Sequence, residues 1–167
     1  NILSANIISF TTLSESIGPE ESFSFINAYL SWVSPIIRMQ KGFIDNYTGD
    51  AIMALFPEET DDPVKAAIGM QKAMTQFNEE FVAPDTPKVQ ISFGIHLGPL
   101  MLGIIGEAER METTVISNAV NIAFRIERLT RYYQTELIVS EHVMERLKNR
   151  NQYKFRVLDK VQINGPV

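Results

Sequence analysis

The run from Asn46 to Phe56, NYTGDAIMALF, sets one carboxylate directly after a glycine and at the mouth of an apolar strand. Hard divalent cations take oxygen ligands, so Asp50 is a candidate metal-holding residue, although a Gly-Asp pair alone is more often an ordinary hairpin turn. Asn121 and Arg125 stand four residues apart in a stretch with helical periodicity, which puts an amide and a guanidinium on one face. Such a pair can orient a hydroxyl and grip phosphate oxygens. The plainer alternative is a polar helix face with Arg125 paired to Glu127 or a neighbour. His96, on the polar or interface face of a strand, and His142, on a short helix, have no other ligands around them, and the methionines fall mostly at helix-core spacing.

These groups must be positioned by an α/β scaffold, because the hydrophobic period switches repeatedly along the 167 residues. Ile2 to Ile8 is a short strand. Pro19, Glu20 and Glu21 open a helix carrying Ile26, Tyr29, Leu30, Val33 and Ile37, with a kink or an end expected near Pro35. Strands at Phe43 to Tyr47 and Ala51 to Phe56 follow, joined by the tight turn Thr48-Gly49-Asp50. Asp62-Pro63 then caps a helix that buries Ala67, Met70, Met74, Phe77 and Phe81. After a loop at Pro84 to Pro87, Val89 to Leu97 alternates as a strand with one face in the core, and Leu100 to Ile105 is another strand. A polar excursion spans Gly106 to Thr113. A helix from about Ser117 to Thr130 follows, then strand, helix and strand over Glu136 to Val139, Glu141 to Leu147 and Tyr153 to Ile163.

Composition narrows the possible classes. A hydrophobic content of 45% over this length suits one domain with a real core. The net charge of -5, with no basic cluster, argues against a general nucleic-acid or acidic-membrane binder. Without cysteine there is neither a disulfide framework nor a thiolate metal site, which is compatible with a cytoplasmic location. No apolar run approaches a membrane span. Because the chain starts inside a strand-like run, 1–167 is expected to be one domain cut from a longer signalling protein, cytoplasmic or the cytosolic part of a membrane-anchored one.

Five stretches, SFTTLSESIGPEE, GFIDNYTGDAIMALF, ISFGIHLGPLMLGIIG, ERMETTVISNAVNIAFRIERLT and ELIVSEHVMERL, occur in an order and spacing similar to the class III adenylate/guanylate cyclase catalytic domain. The resemblance implies a ferredoxin-like βαββαβ core with added strands and helices, working as a head-to-tail homodimer with nucleotide sites at the shared interface. A heterodimer with a complete cyclase domain is the variant. It implies Mg²⁺ or Mn²⁺ as cofactor and ATP, or GTP, as the nucleotide. Two carboxylates and one main-chain carbonyl would hold the metals. Asp50 matches one carboxylate, Asn6 replaces the other, and Ile7 supplies the carbonyl.

From the partner side, the resemblance makes Asn121 the ribose-orienting amide and Arg125 the phosphate-gripping guanidinium. Thr114 keeps one base-selecting position, while Asn46 replaces the lysine of the other. Asn164 and Pro166 occupy the places of a C-terminal Lys-Gly-Lys-like turn. Ser117, Phe124 and Thr48 are gentler departures. With an aspartate and at least one lysine lost, the resemblance implies a cyclase homology domain with an incomplete active site, retained for dimerisation and regulation. The alternative is an active adenylate cyclase that converts ATP to cyclic AMP and pyrophosphate with two divalent metals, alone or with a complementing partner.

Overall fold

The sequence Ile-Leu-Ser-Ala-Asn-Ile at 2–7 is buried almost throughout, as befits a strand with neighbours on both edges and cover on both faces. The computed structural model describes residues 1–82, 87–107 and 110–163, leaving aside the side chains of 105–107, 110–114 and 116. Strand β1 (Ile2–Ile7) pairs antiparallel with β3 (Ala51–Leu55) and with β4 (Ile91–His96), and β2 (Phe43–Thr48) extends the sheet beyond β3. Strand β7 (Leu137–Val139) adds to β4 in parallel, giving the order β2-β3-β1-β4-β7. Helices α1 (Phe10–Ile17) and α2 (Pro19–Met39) lie between β1 and β2, and α3 (Asp61–Phe81) lies between β3 and β4. This is the expected βαββαβ core.

The two faces of the sheet have separate covers. Leu3, Ala5, Ile7, Ile91, Phe93 and Ile95 point into the main core with Tyr29 and Val33 of α2 and Met70 and Phe77 of α3. The opposite face packs under α4 (Asn118–Tyr133), where Ile2, Met53 and Leu55 meet Ala119 and Ala123. Strand β4 is therefore buried on both faces, although its alternation predicts one polar face: α4 covers the side that carries Ser92, Gly94 and His96.

Other differences have local causes. Helix α2 runs through Pro35 to Met39, because Pro35 is exposed and the carbonyl it leaves unbonded, at Ser31, faces water. Helix α1 has no counterpart in the expected elements. It is a short helix with no fully buried residue, anchored where Phe10 stacks on Phe25. Asp62 lies inside α3 rather than capping it: the helix starts at Asp61, and Asp62 Oδ2 accepts from Glu59 N at 3.2 Å. Most of the Gly106 to Thr113 excursion is strand, in the hairpin of β5 (Met101–Glu107) and β6 (Arg110–Ile116), with 108–109 outside the described residues. Tyr153 to Ile163 enters no ladder. It follows α5 (Glu141–Arg146) and a turn at Arg150–Gln152, and it is tied down by Tyr153 to Asp61 and by Asp159 to Tyr133. The loop at Pro84 to Pro87 and the Asn164 and Pro166 positions fall largely or wholly outside the described residues.

Gly94 is where α4 and β4 meet backbone to backbone. A Cβ there would collide with Glu127 N and Ala123 O, neither of which can move without lifting the helix. Gly94→Ala is expected to cost about 3 kcal/mol by overpacking. Gly103→Ala on β5, where a Cβ would meet nothing within 4 Å, should stay within about 0.5 kcal/mol. Urea unfolding of the two variants beside the parent checks both values.

Candidate active site

Strand β3 ends its ladder on β1 with Ile52 opposite Ala5, so two residues further on Asp50 faces Ile7. The turn that brings it there has Gly49 at φ 62, a left-handed conformation that side chains rarely adopt. Asp50 Oδ2 accepts from Ile7 N at 3.0 Å and so takes the place of a strand carbonyl. Burial pushes the Asp50 carboxyl up from its ordinary range, while the Ile7 N–H and the charge of Arg131 oppose that rise. Next to it, Asn6 Oδ1 is buried and has no hydrogen-bond partner. Asn46, four residues before Asp50, is exposed on edge strand β2, beside a register shift between Ile44 and Asn46.

Asn121 and Arg125 lie on α4 away from this corner. The helix buries Ala119, Ala123, Ile126, Glu127 and Thr130, which leaves Asn121 exposed and Arg125 half-buried. Arg125 lines a cavity of about 220 Å³ with Leu129, Val161, Gln162 and Ile163. Ser117 caps the helix: its Oγ accepts from Ala119 N at 2.9 Å and donates to Pro99 O at 2.6 Å. Phe124 packs against the small cluster under α4. Thr114 lies in β6 opposite Gly103, with its side chain outside the described set. Among the described residues no hydrogen bond or ion pair joins Asn121 or Arg125 to Asp50, Asn6 or Asn46.

Two polar groups missing from the sequence-based list connect these parts. Glu127 does not pair with Arg125; it turns inward, and Ser92 Oγ lies 2.5 Å from Glu127 Oε1 and 3.2 Å from the main-chain oxygen of Asn6. Burial pushes the Glu127 carboxyl up; the Ser92 hydroxyl and the charges of Arg131 and Arg128 oppose this, and Asp50 adds to it. The sequence signal was a serine on the polar phase of β4 and a glutamate on the apolar phase of α4. His96 also differs from expectation: it is buried, its Nδ1 is 2.9 Å from Ser140 Oγ, and its ring packs edge-on against His142. Burial, then His142, holds its pKa below the usual imidazole value.

Whether this corner can hold a divalent ion depends on its donors. The second oxygen of Asp50, the orphaned Oδ1 of Asn6 and the carbonyl of Ile7 are all hard oxygen ligands, and a buried acceptor without a donor suits a cation. One carboxylate and two neutral oxygens would suit one ion at most, and would hold it less firmly than two carboxylates. They do not fit two, because an amide cannot bridge cations as a carboxylate does. Among the described residues no three Asp, Glu or His side chains converge as a metal cluster.

With this fold and corner in view, comparison with known proteins is specific. Residues 1–167 match the family model of the adenylate and guanylate cyclase catalytic domain, and the chain belongs to that family. An adenylate cyclase of Anabaena cylindrica is 39% identical over 98% of this chain and 34% of its own length. A terminal-differentiation-specific adenylate cyclase of Dictyostelium discoideum is 32% identical over 98% of the chain and 8% of its own. The chain thus spans about a third of the length of one of these relatives and under a tenth of the other. A bacterial light-regulated adenylyl cyclase structure superposes with a TM-score of 0.81 at 26% identity, covering 88% of this chain and 44% of that one. A guanylyl cyclase crystal structure gives 0.77 at 28% identity, covering 89% and 78%. No helix among the described residues is long and apolar enough to cross a membrane.

Because folding raises the Asp50 pKa, its ionised form weakens the folded state. The penalty is absent below the unfolded carboxylate pKa and present in full once pH exceeds the folded one. Asp50→Asn keeps an acceptor for Ile7 N, so it should melt no lower than the parent at pH 7 and slightly higher. That difference should close as pH falls toward about 4, as thermal unfolding across the pH range will show.

Proposed function

We propose that this class III nucleotide cyclase domain carries an incomplete active site and serves as a dimerising, regulatory module within a longer cytosolic or membrane-anchored signalling protein. The observation that carries this is the metal corner, where Asp50 is the one carboxylate and Asn6 presents an amide oxygen with no internal partner. Cyclisation needs the ribose 3′-oxygen to attack the α-phosphate while pyrophosphate leaves, with negative charge neutralised at both oxygens. Bound divalent ions supply that neutralisation in such chemistry. Here Asp50, Asn6 and the Ile7 carbonyl would hold one ion weakly, Asn121 would orient the ribose, and Arg125 would grip phosphate oxygens. Asn46 offers an amide to the base where a cation is wanted, and Thr114 leans the choice toward adenine and so toward ATP over GTP.

A second reading has its own support, because the α4 pair is kept, with Asn121 exposed and Arg125 half-buried on one helix, although Asn46 still stands in place of the lysine on that side. In a heterodimer this chain would lend that pair to a complete partner, which would supply the metal-binding carboxylates. In a homodimer the same head-to-tail arrangement sets the corner of one chain against α4 of the other. The β5–β6 hairpin suits a dimer arm, since it stands outside the main sheet with Met101, Leu102 and Ile104 exposed.

Three measurements test the proposal. Purified domain assayed with ATP or GTP should show turnover several powers of ten below a complete cyclase, since each missing electrostatic group costs roughly two to three; robust Mg²⁺-dependent product would sink it. Asn6→Asp combined with Asn46→Lys should tighten binding of Mn²⁺-ATP by calorimetry, each single change falling short because the two positions serve opposite sides of the interface. In sedimentation at high concentration a dimer should appear, and a strictly monomeric species would remove the arm.

A further inference from the structure

Glu127 is the one charged side chain that α4 buries, at 4% exposure, and it sits two residues from Arg125. Burying a carboxyl is costly unless it makes something in return. What it makes is a hydrogen bond to Ser92, the β4 residue paired with Asn6, and the Ser92 hydroxyl also lies within reach of the Asn6 carbonyl. The next residue of β1, Ile7, donates to Asp50. A run of adjacent polar groups, in which the single Ser92 proton serves Glu127 or the Asn6 carbonyl, therefore leads from the helix that carries Asn121 and Arg125, through Glu127, Ser92 and the backbone of Asn6 and Ile7, to the candidate metal carboxylate. Helix α4 cannot slip past β4 without breaking it, because at Gly94 the helix backbone rests on the strand.

We propose that Glu127 is a positioning residue that, through Ser92, ties the metal corner at the end of β1 to α4. The two half-sites of one chain then move together. In a head-to-tail dimer these half-sites belong to different nucleotide sites, so the tether couples one site to the other. That consequence rests on the dimer proposed above; the tether within the chain does not.

The test reads amide hydrogen exchange in the isolated domain at Ile7, whose N–H reports opening of the corner, with Ile95 of β4, paired on both edges, as internal reference. Ser92→Ala and Glu127→Met should speed Ile7 exchange relative to Ile95 by on the order of five- to tenfold, the effect of one lost hydrogen bond. Glu127→Gln keeps an acceptor for the serine and should stay within about twofold of the parent. Unchanged Ile7 exchange in Ser92→Ala overturns the tether, and so does equal acceleration in Glu127→Gln; these two variants decide even if Glu127→Met does not fold. Mg²⁺ titration is read separately. Shifts at the Ile7 amide that extend to Glu127 and Arg128 in the parent and stop at Ile7 in Ser92→Ala support the coupling, and shifts that reach α4 in both overturn it. If Mg²⁺ moves neither, the metal corner proposed above falls, and exchange alone judges the tether.

Discussion

The contact on which the site depends most is the approach of α4 to the sheet at Gly94, where any side chain would strike the helix backbone at Ala123 and Glu127. So close a crossing demands small residues on the helix as well, and Ala119 and Ala123 supply them. It fixes the rotation of α4 about its own axis. Once Ala123 faces the strand, Asn121 and Arg125 turn outward and Glu127 turns inward, so the polar groups are divided between solvent and sheet by one packing decision. The helix entry is fixed from its other end by Ser117, which bonds both its own first turn and Pro99.

Electrostatics bears on the proposed metal corner. Asp50 and Glu127 are both carboxyls that burial pushes upward, and Asp50 adds to the effect on Glu127. An aspartate at position 6 would bring another anion among them, tolerable only with a cation bound. Asn6 avoids that repulsion and leaves a single unpaired oxygen as the residual cost. On the proposed reading, asparagine at position 6 would remove preorganised charge and would spare the fold that repulsion, in line with the common trade between stability and function.

Much of this was legible in the chain itself. Periodicity located the sheet strands and the long helices, since apolar spacing and the turn at Gly49 are local signals. The continuation of α2 through Pro35 was not legible, because it depends on which side of the helix faces water. Nor was the full burial of β4, because the cover comes from a helix some 25 residues later in sequence. The strand expected at Tyr153 to Ile163 has the right residue types but finds no partner edge among the described residues, and strand propensity without a partner makes no ladder. In the site, Asp50 could be found from Gly-Asp and its apolar neighbours. Ser92 and Glu127 could not: each looks ordinary alone, and only the α4 crossing puts them together.

The same contrast bears on why the proposed loss of turnover is compatible with an intact architecture. The fold rests on area shared among many apolar residues on two faces of one sheet, and relatives at 39% and 32% identity still match nearly the whole chain. A dimer surface is likewise spread over many contacts. The proposed chemistry hangs on a few charges, two of them at positions 6 and 46: Asn46 lies on an exposed edge strand, while Asn6 sits in the central strand β1 with its Oδ1 buried. A few side chains can change while the distributed apolar contacts stay in place. The polar groups that folding does constrain, Ser92 and Glu127, remain buried and bonded, and they link the two half-sites whether or not either one turns over substrate.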